Sequence, residues 1–456
     1  MDKYKNNQEI RVRIAPSPTG LFHIGTARTA LFNYLFAKKN NGKFILRIED
    51  TDKERSNEKY EKDILDNLKW LGLNWDESPS YQSKRTEVYK KYIKQLLDSG
   101  QAFWCEHTKE ELEREKKEQI DKKEAPKHIC DRKGKKGIIR FHCSGKIIFN
   151  DLIRGKSEFD GELLGDISIA RNEQTPLFLL ASTIDDAEMG ISHIIRGEDH
   201  LSNTPKQILI NKALKLNIPQ YAHLPLILGN DKSKLSKRHG ATSVGDYKKQ
   251  GYLPEAIVNF IALLGWNPGT EKEIFSAKEL IESFSLEKVQ KSGAVFDIKK
   301  LDWLNGNYIR QMDLDELTEK CFPYLETKDI KYAKKIVALE QERLKKISEI
   351  GELTKFFFKE PDYKLELLIW KKMDLKEVKN NLELLLKELS KIDDFEAKSL
   401  EGVIMPLTEK SGVGELLWPF RVALSGQKAS PGPFEIAEVL GKEKTLKRIK
   451  YAIEKL

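Results

Sequence analysis

Cysteine is scarce, with four residues in a chain of 456. So few thiols cannot build a disulfide framework at this length, and each is expected to be free or metal-bound. Long apolar runs are missing as well. No uncharged stretch approaches the length that spans a bilayer, and the opening MDKYKNNQEI holds no apolar segment of a secretory signal. The expectation is a cytoplasmic protein that does not enter a membrane. No internal repeat or low-complexity tract is visible. Nor does one charge dominate: Lys and Arg number 79 against 71 Asp and Glu, a surplus of +8 that only weakly favours a polyanionic partner. What is present is ordinary globular material, 39% hydrophobic and 33% charged, in a chain too long for one core. Two or more domains are expected.

The first residues with a clear pattern are Arg11 to Ala15, which alternate as a strand and stop at Pro16-Ser17-Pro18-Thr19-Gly20. Ala27, Ala30, Leu31, Tyr34 and Leu35 then share one helical face, ended by Asn40-Asn41-Gly42. Phe44 to Ile48 is a second strand, interrupted by Arg47 and followed by Glu49-Asp50. This is a βαβ unit. Another follows much later: a strand at Ile191 to Arg196, a helix opening at Thr204, and a strand from Tyr221 to Leu228. Thr204, Pro205 and Gln207 are spaced as a capping box with proline at the first helical position. The gap of about a hundred residues between the two units must hold an inserted domain. Its Lys109 to Glu124 stretch is a solvated helix held by charge pairs. After about Leu253 the pattern is helical nearly to the end, with punctuation at Gly306 and at Ser430 to Pro433.

Chemistry concentrates where strands end. His23-Ile24-Gly25-Thr26 opens the first helix, where backbone amides, the helix dipole and an imidazole suit an anion. Lys234-Leu235-Ser236-Lys237-Arg238 follows a strand of the second half, and three cations there suit charge that develops on phosphate. Each segment alone reads more readily as a structural turn or a solvated basic loop. Both at the ligand-facing edge of one sheet are more specific. In the insertion, Cys105-x-His107 and His128-x-Cys130 flank the charged helix. They are either a tetrahedral zinc set or four unrelated residues on a surface hairpin. Cys143 and Cys321 read as core residues.

The stretch Arg13 to Gly20 with His23-Ile24-Gly25-Thr26, and the KLSKR at 234 to 238, resemble the two signatures of bacterial glutamyl-tRNA synthetases, class I enzymes. The likeness extends to RIEDTD at 47 to 52, IIRGEDHLSNTP at 194 to 205, GYLPEAIVNFIALLGW at 251 to 266 and PFRVALSG at 419 to 426, nearly the whole length. It implies a multidomain protein: a doubly wound α/β Rossmann-type catalytic domain with an α+β insertion, then an all-α anticodon-binding region. The implied segments are 1–100 and 191–245 for the two catalytic halves and 101–190 for an insertion that binds the acceptor end. A helical stem-contact domain at 246–311 and an anticodon-binding domain at 312–456 complete them.

The resemblance further implies ATP-dependent activation of L-glutamate and its transfer to tRNA(Glu), with Mg²⁺ accompanying ATP. His23, Lys234 and Lys237 are the implied catalytic residues, with Thr19, Gly25 and Arg238 also at ATP. Arg13 and Arg196 would grip the glutamate side-chain carboxylate, each able to do so bidentately. Glu49 would face the ammonium, and Ala15 and Ser17 would line the pocket. Phe178 stands where the family usually has tyrosine, so one substrate hydroxyl contact is missing. Some members carry a zinc site near the Cys/His pairs in another order. Arg343 matches an arginine that lets some members reject tRNA(Gln). A monomer whose activation step depends on tRNA is expected. The rival readings are a nondiscriminating enzyme that also charges tRNA(Gln), a non-catalytic tRNA-binding paralogue without the phosphate-binding residues, and a tRNA-free nucleotidyltransferase without the C-terminal helices. This chain has both features.

Overall fold

The computed structural model of the chain describes residues 9–236, 238, 240 and 242–456. They form two compact units, one running to Lys248 and including Pro254–Leu301, the other made of Lys249–Leu253 and Asp302–Leu456. The division expected from sequence is finer than this.

In the first unit, strand β1 (Arg11–Ile14) leads through the loop into the helix Ile24–Lys39 and returns as β2 (Lys43–Ile48), parallel to β1 with Arg11 opposite Lys43. A short β3 (Ser80–Tyr81) extends this sheet beside β2. The helix is buried on nearly every side, Ile24, Ala27, Leu31 and Phe36 among its buried residues, which explains why it shows little amphipathic contrast. Asn41 ends the crossover with φ 52°. Gly42 is required there, because a Cβ would lie 2.3 Å from the Ile10 carbonyl oxygen.

The inserted stretch contributes β4 (Ala102–Cys105), β5 (Lys133–Gly134), β6 (Ile138–His142), β9 (Asp166–Asn172) and β10 (Thr175–Pro176), which form an antiparallel sheet in the order β10-β9-β6-β4-β5. Between β6 and β9 the hairpin β7 (Lys146–Asp151) and β8 (Gly155–Asp160) goes elsewhere. It joins the second half of the catalytic sheet, whose order is β11 (His193–Gly197), β12 (Gln220–Leu224), β7, β8. The helix Lys109–Asp121 has no buried residue and starts in a capping box of Thr108 and Glu111, as its composition predicts for a solvated helix.

The two halves adjoin where β11 runs beside β1. The Ser192 amide donates to the Arg11 carbonyl at 2.9 Å, and Asn33 from the first helix donates to the Ile195 carbonyl at 3.0 Å. On one side of this seam the chain winds from β1 to β2, on the other from β11 to β12. The carboxyl ends therefore diverge and open a crevice.

Two local expectations are corrected. Thr204 does not cap its helix: it already has helical dihedrals, because a 3₁₀ turn at Glu198–Asn203 runs into the helix and the Thr204 amide donates to the Leu201 carbonyl. Its hydroxyl and the Gln207 amide meet Arg196 instead. The strand expected from Tyr221 to Leu228 is broken at Pro225, which has no amide to donate. The chain resumes as β13 (Ile227–Leu228), paired with β14 (Ala294–Val295).

Under the crevice lies a buried ionic cluster. Asp186 accepts from Arg13 Nε at 3.0 Å and Arg47 Nη1 at 2.6 Å, while Arg47 Nη2 donates to Glu49 at 3.0 Å. The neighbouring Asp185 accepts from Gln82 at 2.8 Å, Arg85 at 2.7 Å and the Tyr89 hydroxyl at 2.9 Å.

In the second unit the described residues contain helices and turns but no strand. Leu382, Leu385, Phe420, Leu424, Ile436 and Ile449 form its core. Arg448 is buried among carbonyls and donates to those of Leu424, Phe356 and Lys359. No helix among the described residues is long and apolar enough to cross a membrane.

Removing one member of a buried ionic cluster leaves its partners uncompensated. Asp185→Ala is expected to destabilise the first unit by about 3–5 kcal/mol and Asp185→Asn by less, measured as the urea midpoint of that unit's transition in the full chain.

Candidate active site

The crevice holds a cavity of about 520 Å³. β1 and its loop contribute Arg13, Ala15 and Ser17; the first helix contributes His23, Gly25, Thr26 and Arg28; and the end of β2 contributes Glu49. The helix Phe178–Glu188 adds Phe178 and Ser182, β11 adds Arg196, and the turn after β13 adds Lys234. Nine of the residues singled out from sequence therefore meet in one place. Thr19 is exposed and does not line the cavity. Arg238 is turned aside, 3.1 Å from Asp231 and 2.5 Å from the Ser233 hydroxyl. Lys237 lies outside the described residues.

At one end of the cavity are two buried arginines. The fork of Arg13 is already committed to Asp186, through Nε at 3.0 Å and Nη2 at 3.3 Å. Arg196 gives Nη2 to Thr204 and Gln207 at 2.8 and 2.7 Å. Among the described residues Nη1 of each meets no acceptor. A carboxylate between them would therefore be held by one nitrogen from each arginine, and the bidentate grip expected of either is not available in this arrangement. Burial lowers Arg196 to about 10. Glu49 is pushed up by burial despite the adjacent Arg47 and Arg13, and a cation arriving beside it would relieve that. For Asp186, burial acts upward but Arg13 and Arg47 outweigh it and leave the carboxyl below its usual range.

Phe178 is 38% exposed and packs against His200 with ring centroids 5.6 Å apart. The Ser182 hydroxyl lines the same wall and accepts from Gln207 at 3.0 Å.

At the other end His23 caps the first helix. Its Nδ1 accepts the Gly25 amide at 3.0 Å, which places the proton of the neutral ring on Nε2. Burial, and then Lys234, hold the ring below its ordinary range, so it is a neutral donor at pH 7. The Ile24 amide is taken by the Thr242 carbonyl at 2.8 Å, leaving the Thr26 amide without an acceptor among the described residues. The anion site expected at this helix start is thus narrower than a full turn of free amides. Lys234 is 64% exposed, with Nζ 3.1 Å from Asp199. Arg28, nearly buried, ties the helix to the far wall by donating to the Leu264 carbonyl at 3.2 Å and to that of Pro225.

Sequence reasoning missed Arg28, Arg47, Ser182 and Asp186 as parts of the site. The available signals were a charge inside the apolar run 44–48 and a pair of acids in the otherwise uncharged stretch 177–187.

The two Cys/His pairs converge. The ligand atoms of Cys105, His107, His128 and Cys130 all lie within 4.8 Å of one another. Cys105 Sγ is 3.4 Å from His107 Nδ1 and 3.5 Å from His128 Nε2, and Cys130 Sγ is 3.8 Å from His107 Nδ1. A tetrahedral ion bound through sulfur and nitrogen sets such atoms about 3.3–3.8 Å apart. Each imidazole turns its other nitrogen to a carboxylate, His107 Nε2 to Asp131 at 3.0 Å and His128 Nδ1 to Glu115 at 2.6 Å. That is the outer shell of a metal-binding histidine. Cys143 and Cys321 are separate, buried and unpaired with other thiols.

Arg343, in the helical unit, is half-buried. Its Nη1 donates to both carboxylate oxygens of the buried Glu340, at 2.9 and 2.7 Å, and its Nη2 to the Ala429 carbonyl at 3.0 Å. Burial pushes Glu340 up to about 7 against the opposing pull of Arg343.

Residues 9–303 match the family of class I tRNA synthetase (E and Q) catalytic domains, and residues 316–453 match an anticodon binding domain. Glutamate–tRNA ligase 2 of Thermoanaerobacter pseudethanolicus is 47% identical, covering 98% of each chain. Glutamate–tRNA ligase 1 of Caldanaerobacter subterraneus is 45% identical over the same shares. The crystal structure of a glutamate tRNA ligase from Elizabethkingia meningosepticum in complex with its amino acid superposes with a TM-score of 0.88 at 34% identity, covering 98% of this chain and 100% of that one. With the catalytic and anticodon-binding matches in one chain, and full-length likeness to these ligases, this protein belongs to the glutamyl-tRNA synthetases of class I.

Proposed function

We propose that this protein is a glutamate–tRNA ligase, activating L-glutamate with ATP and transferring it to tRNA(Glu). The observation that carries the reading is the convergence of Arg13 and Arg196, from opposite halves of the sheet, on a cavity that also holds His23 and Lys234. In the first step a carboxylate oxygen of glutamate attacks the α-phosphate of ATP and diphosphate leaves. In the second a terminal hydroxyl of the tRNA attacks the acyl carbon and AMP leaves. No protein nucleophile is needed, and the residues position and stabilise.

His23 Nε2–H, the Thr26 amide, Lys234 and, by its place in KLSKR, Lys237 are assigned to the ATP phosphates, with Gly25 allowing close approach. Thr19 and Arg238 remain ATP assignments by resemblance alone. Mg²⁺ supplies charge neutralisation with ATP. Arg13 and Arg196 receive the side-chain carboxylate, and Glu49 receives the ammonium. Ala15, Ser17, Phe178 and Ser182 complete the wall. The four ligands Cys105, His107, His128 and Cys130 are assigned to structural Zn²⁺. Roles follow the expected segments: 101–190 for the acceptor end, 246–311 for the stem and 312–456 for the anticodon, where Arg343 is assigned to rejecting tRNA(Gln). A monomer is assigned by resemblance, and a cytoplasmic location fits four cysteines of which none forms a disulfide.

Aminoacylation of tRNA(Glu) and tRNA(Gln) transcripts with labelled glutamate tests the assignment. The expected result is charging of tRNA(Glu) alone, with kcat reduced about 10²–10³-fold by Lys234→Ala, the usual cost of one transition-state contact. Arg343→Ala is expected to raise charging of tRNA(Gln) relative to tRNA(Glu). Failure to charge tRNA(Glu) would overturn the reading.

Elemental analysis of the purified protein is expected to find about one zinc per chain, lost in Cys105→Ser/Cys130→Ser, with Glu115→Gln weakening zinc by about 10–100-fold. Chelation should also lower the melting temperature of the first unit. Zinc content equal in wild type and the double variant would overturn the site.

A further inference from the structure

The cations around the glutamate end are compensated in two unlike ways. Arg13 and Arg47 sit against carboxylates. Arg196, 6% exposed, makes no ion pair among the described residues. Its partners are neutral: the Thr204 hydroxyl, the Gln207 side-chain carbonyl, the His200 backbone carbonyl at 3.4 Å, and His223, whose Nε2 accepts from Arg196 Nε at 3.3 Å. A buried guanidinium with only neutral neighbours keeps its charge for an anion that arrives later.

His223 can accept from Arg196 only as the neutral ring with its proton on Nδ1. Asp151, at the end of β7, enforces that tautomer, with Oδ2 2.6 Å from His223 Nδ1 and both side chains fully buried. Asp151 is itself fixed by the amides of Ile153 at 3.0 Å and Arg154 at 2.8 Å. The second partner of His223 Nε2 is the Thr204 hydroxyl at 3.0 Å, which also faces Arg196. On the far side of Arg196, Gln207 is held by Ser182 at 3.0 Å, so its carbonyl oxygen faces the guanidinium. Burial keeps His223 below its ordinary range.

We propose that Asp151 and His223 are positioning residues for recognition of the anionic substrate side chain. Asp151 sets the tautomer of His223, His223 and Thr204 lock the plane of Arg196, and Nη1 is thereby presented to the carboxylate. With the other tautomer, an N–H of His223 would oppose the Nε–H of Arg196, and two facing donors would turn the guanidinium away. The proposal rests on Arg196 being the receptor for the glutamate side chain. It adds a relay that reaches the cavity from the β7–β8 hairpin, which neither signature sequence contains.

Steady-state aminoacylation, with glutamate and ATP varied separately, tests it in the full chain. Asp151→Asn is expected to raise KM for glutamate about 10-fold or more, the worth of one hydrogen bond to a charged group, while KM for ATP stays within about twofold. His223→Gln retains an acceptor at the place of Nε2 and is expected to recover most of the affinity that His223→Leu loses. Melting temperatures identify any variant that fails to fold, and the Gln and Leu pair carries the test if Asp151→Asn does not. KM values for glutamate and ATP that rise together would overturn the proposal, as would a Gln variant no better than Leu. Arg196→Gln separates the two levels. If it raises KM for glutamate while Asp151→Asn and His223→Leu do not, only the relay falls; if it does not, the assignment of Arg196 falls with it.

Discussion

The end of the cavity proposed to receive glutamate depends on one carboxylate, Asp186, shared by two guanidiniums from neighbouring strands. Arg13 and Arg47 approach it at 3.0 and 2.6 Å, and Arg47 passes the charge on to Glu49. Four guanidiniums, Arg13, Arg47, Arg85 and Arg196, stand against three carboxylates, Asp185, Asp186 and Glu49, so the linked set carries one surplus positive charge. On the proposed assignment glutamate, with two carboxylates and one ammonium, carries one negative charge and completes the balance. Glutamine carries none. Discrimination between the two therefore follows from the charge count of a water-poor site, where an unbalanced unit charge is costly. Removing a hydrogen-bond partner that a site is built to meet is penalised far more than adding bulk to an apolar pocket.

This arrangement also explains why the two halves of the sheet must meet. Asp186 comes from the helix Phe178–Glu188 and Arg196 from β11, whereas Arg13 in β1 lies 173 residues before Asp186 and meets them only at the seam. The legibility of the site divides along the same line. The βαβ unit of β1 and β2, the position of His23 at the helix start and Glu49 at the end of β2 are local consequences of periodicity and breakers, and they could be read directly. Arg47 and Asp186 could not. A charge in an apolar run announces that something pairs with it, but the partner lies 139 residues away and only the fold supplies it.

The misread capping box shows the complementary limit. Thr204, Pro205 and Gln207 have the spacing of a helix start, yet the preceding 3₁₀ turn already runs into the helix, and both side chains are freed for Arg196. Local chemistry that looks complete was recruited by a stronger demand, a buried cation. The Cys/His pairs were legible for the opposite reason. They flank a self-capped helix with no buried face, and the four side chains converge where the loop returns to the sheet, beside the Asp166 amide donating to the His128 carbonyl at 2.7 Å.

The two ends of the cavity hold their cations in ways suited to the tasks proposed for them. A carboxylate that arrives charged and leaves charged is met best by groups that do not move, and Arg13 and Arg196 are buried and tied at two or more nitrogens. At the phosphates the charge to be stabilised grows as the α-phosphorus is attacked and diphosphate departs. Lys234 is 64% exposed and paired to an exposed Asp199, a contact worth little in water and readily exchanged for a phosphate oxygen. Lysine offers a point charge on a flexible stem, whereas arginine offers a fixed plane. Exchanging the two residue types between the ends would therefore impair both. A lysine in place of Arg196 would lose the plane that Thr204, Gln207 and His223 define, and a rigid arginine tied to protein carboxylates in place of Lys234 would have less charge to give when the transition state needs it.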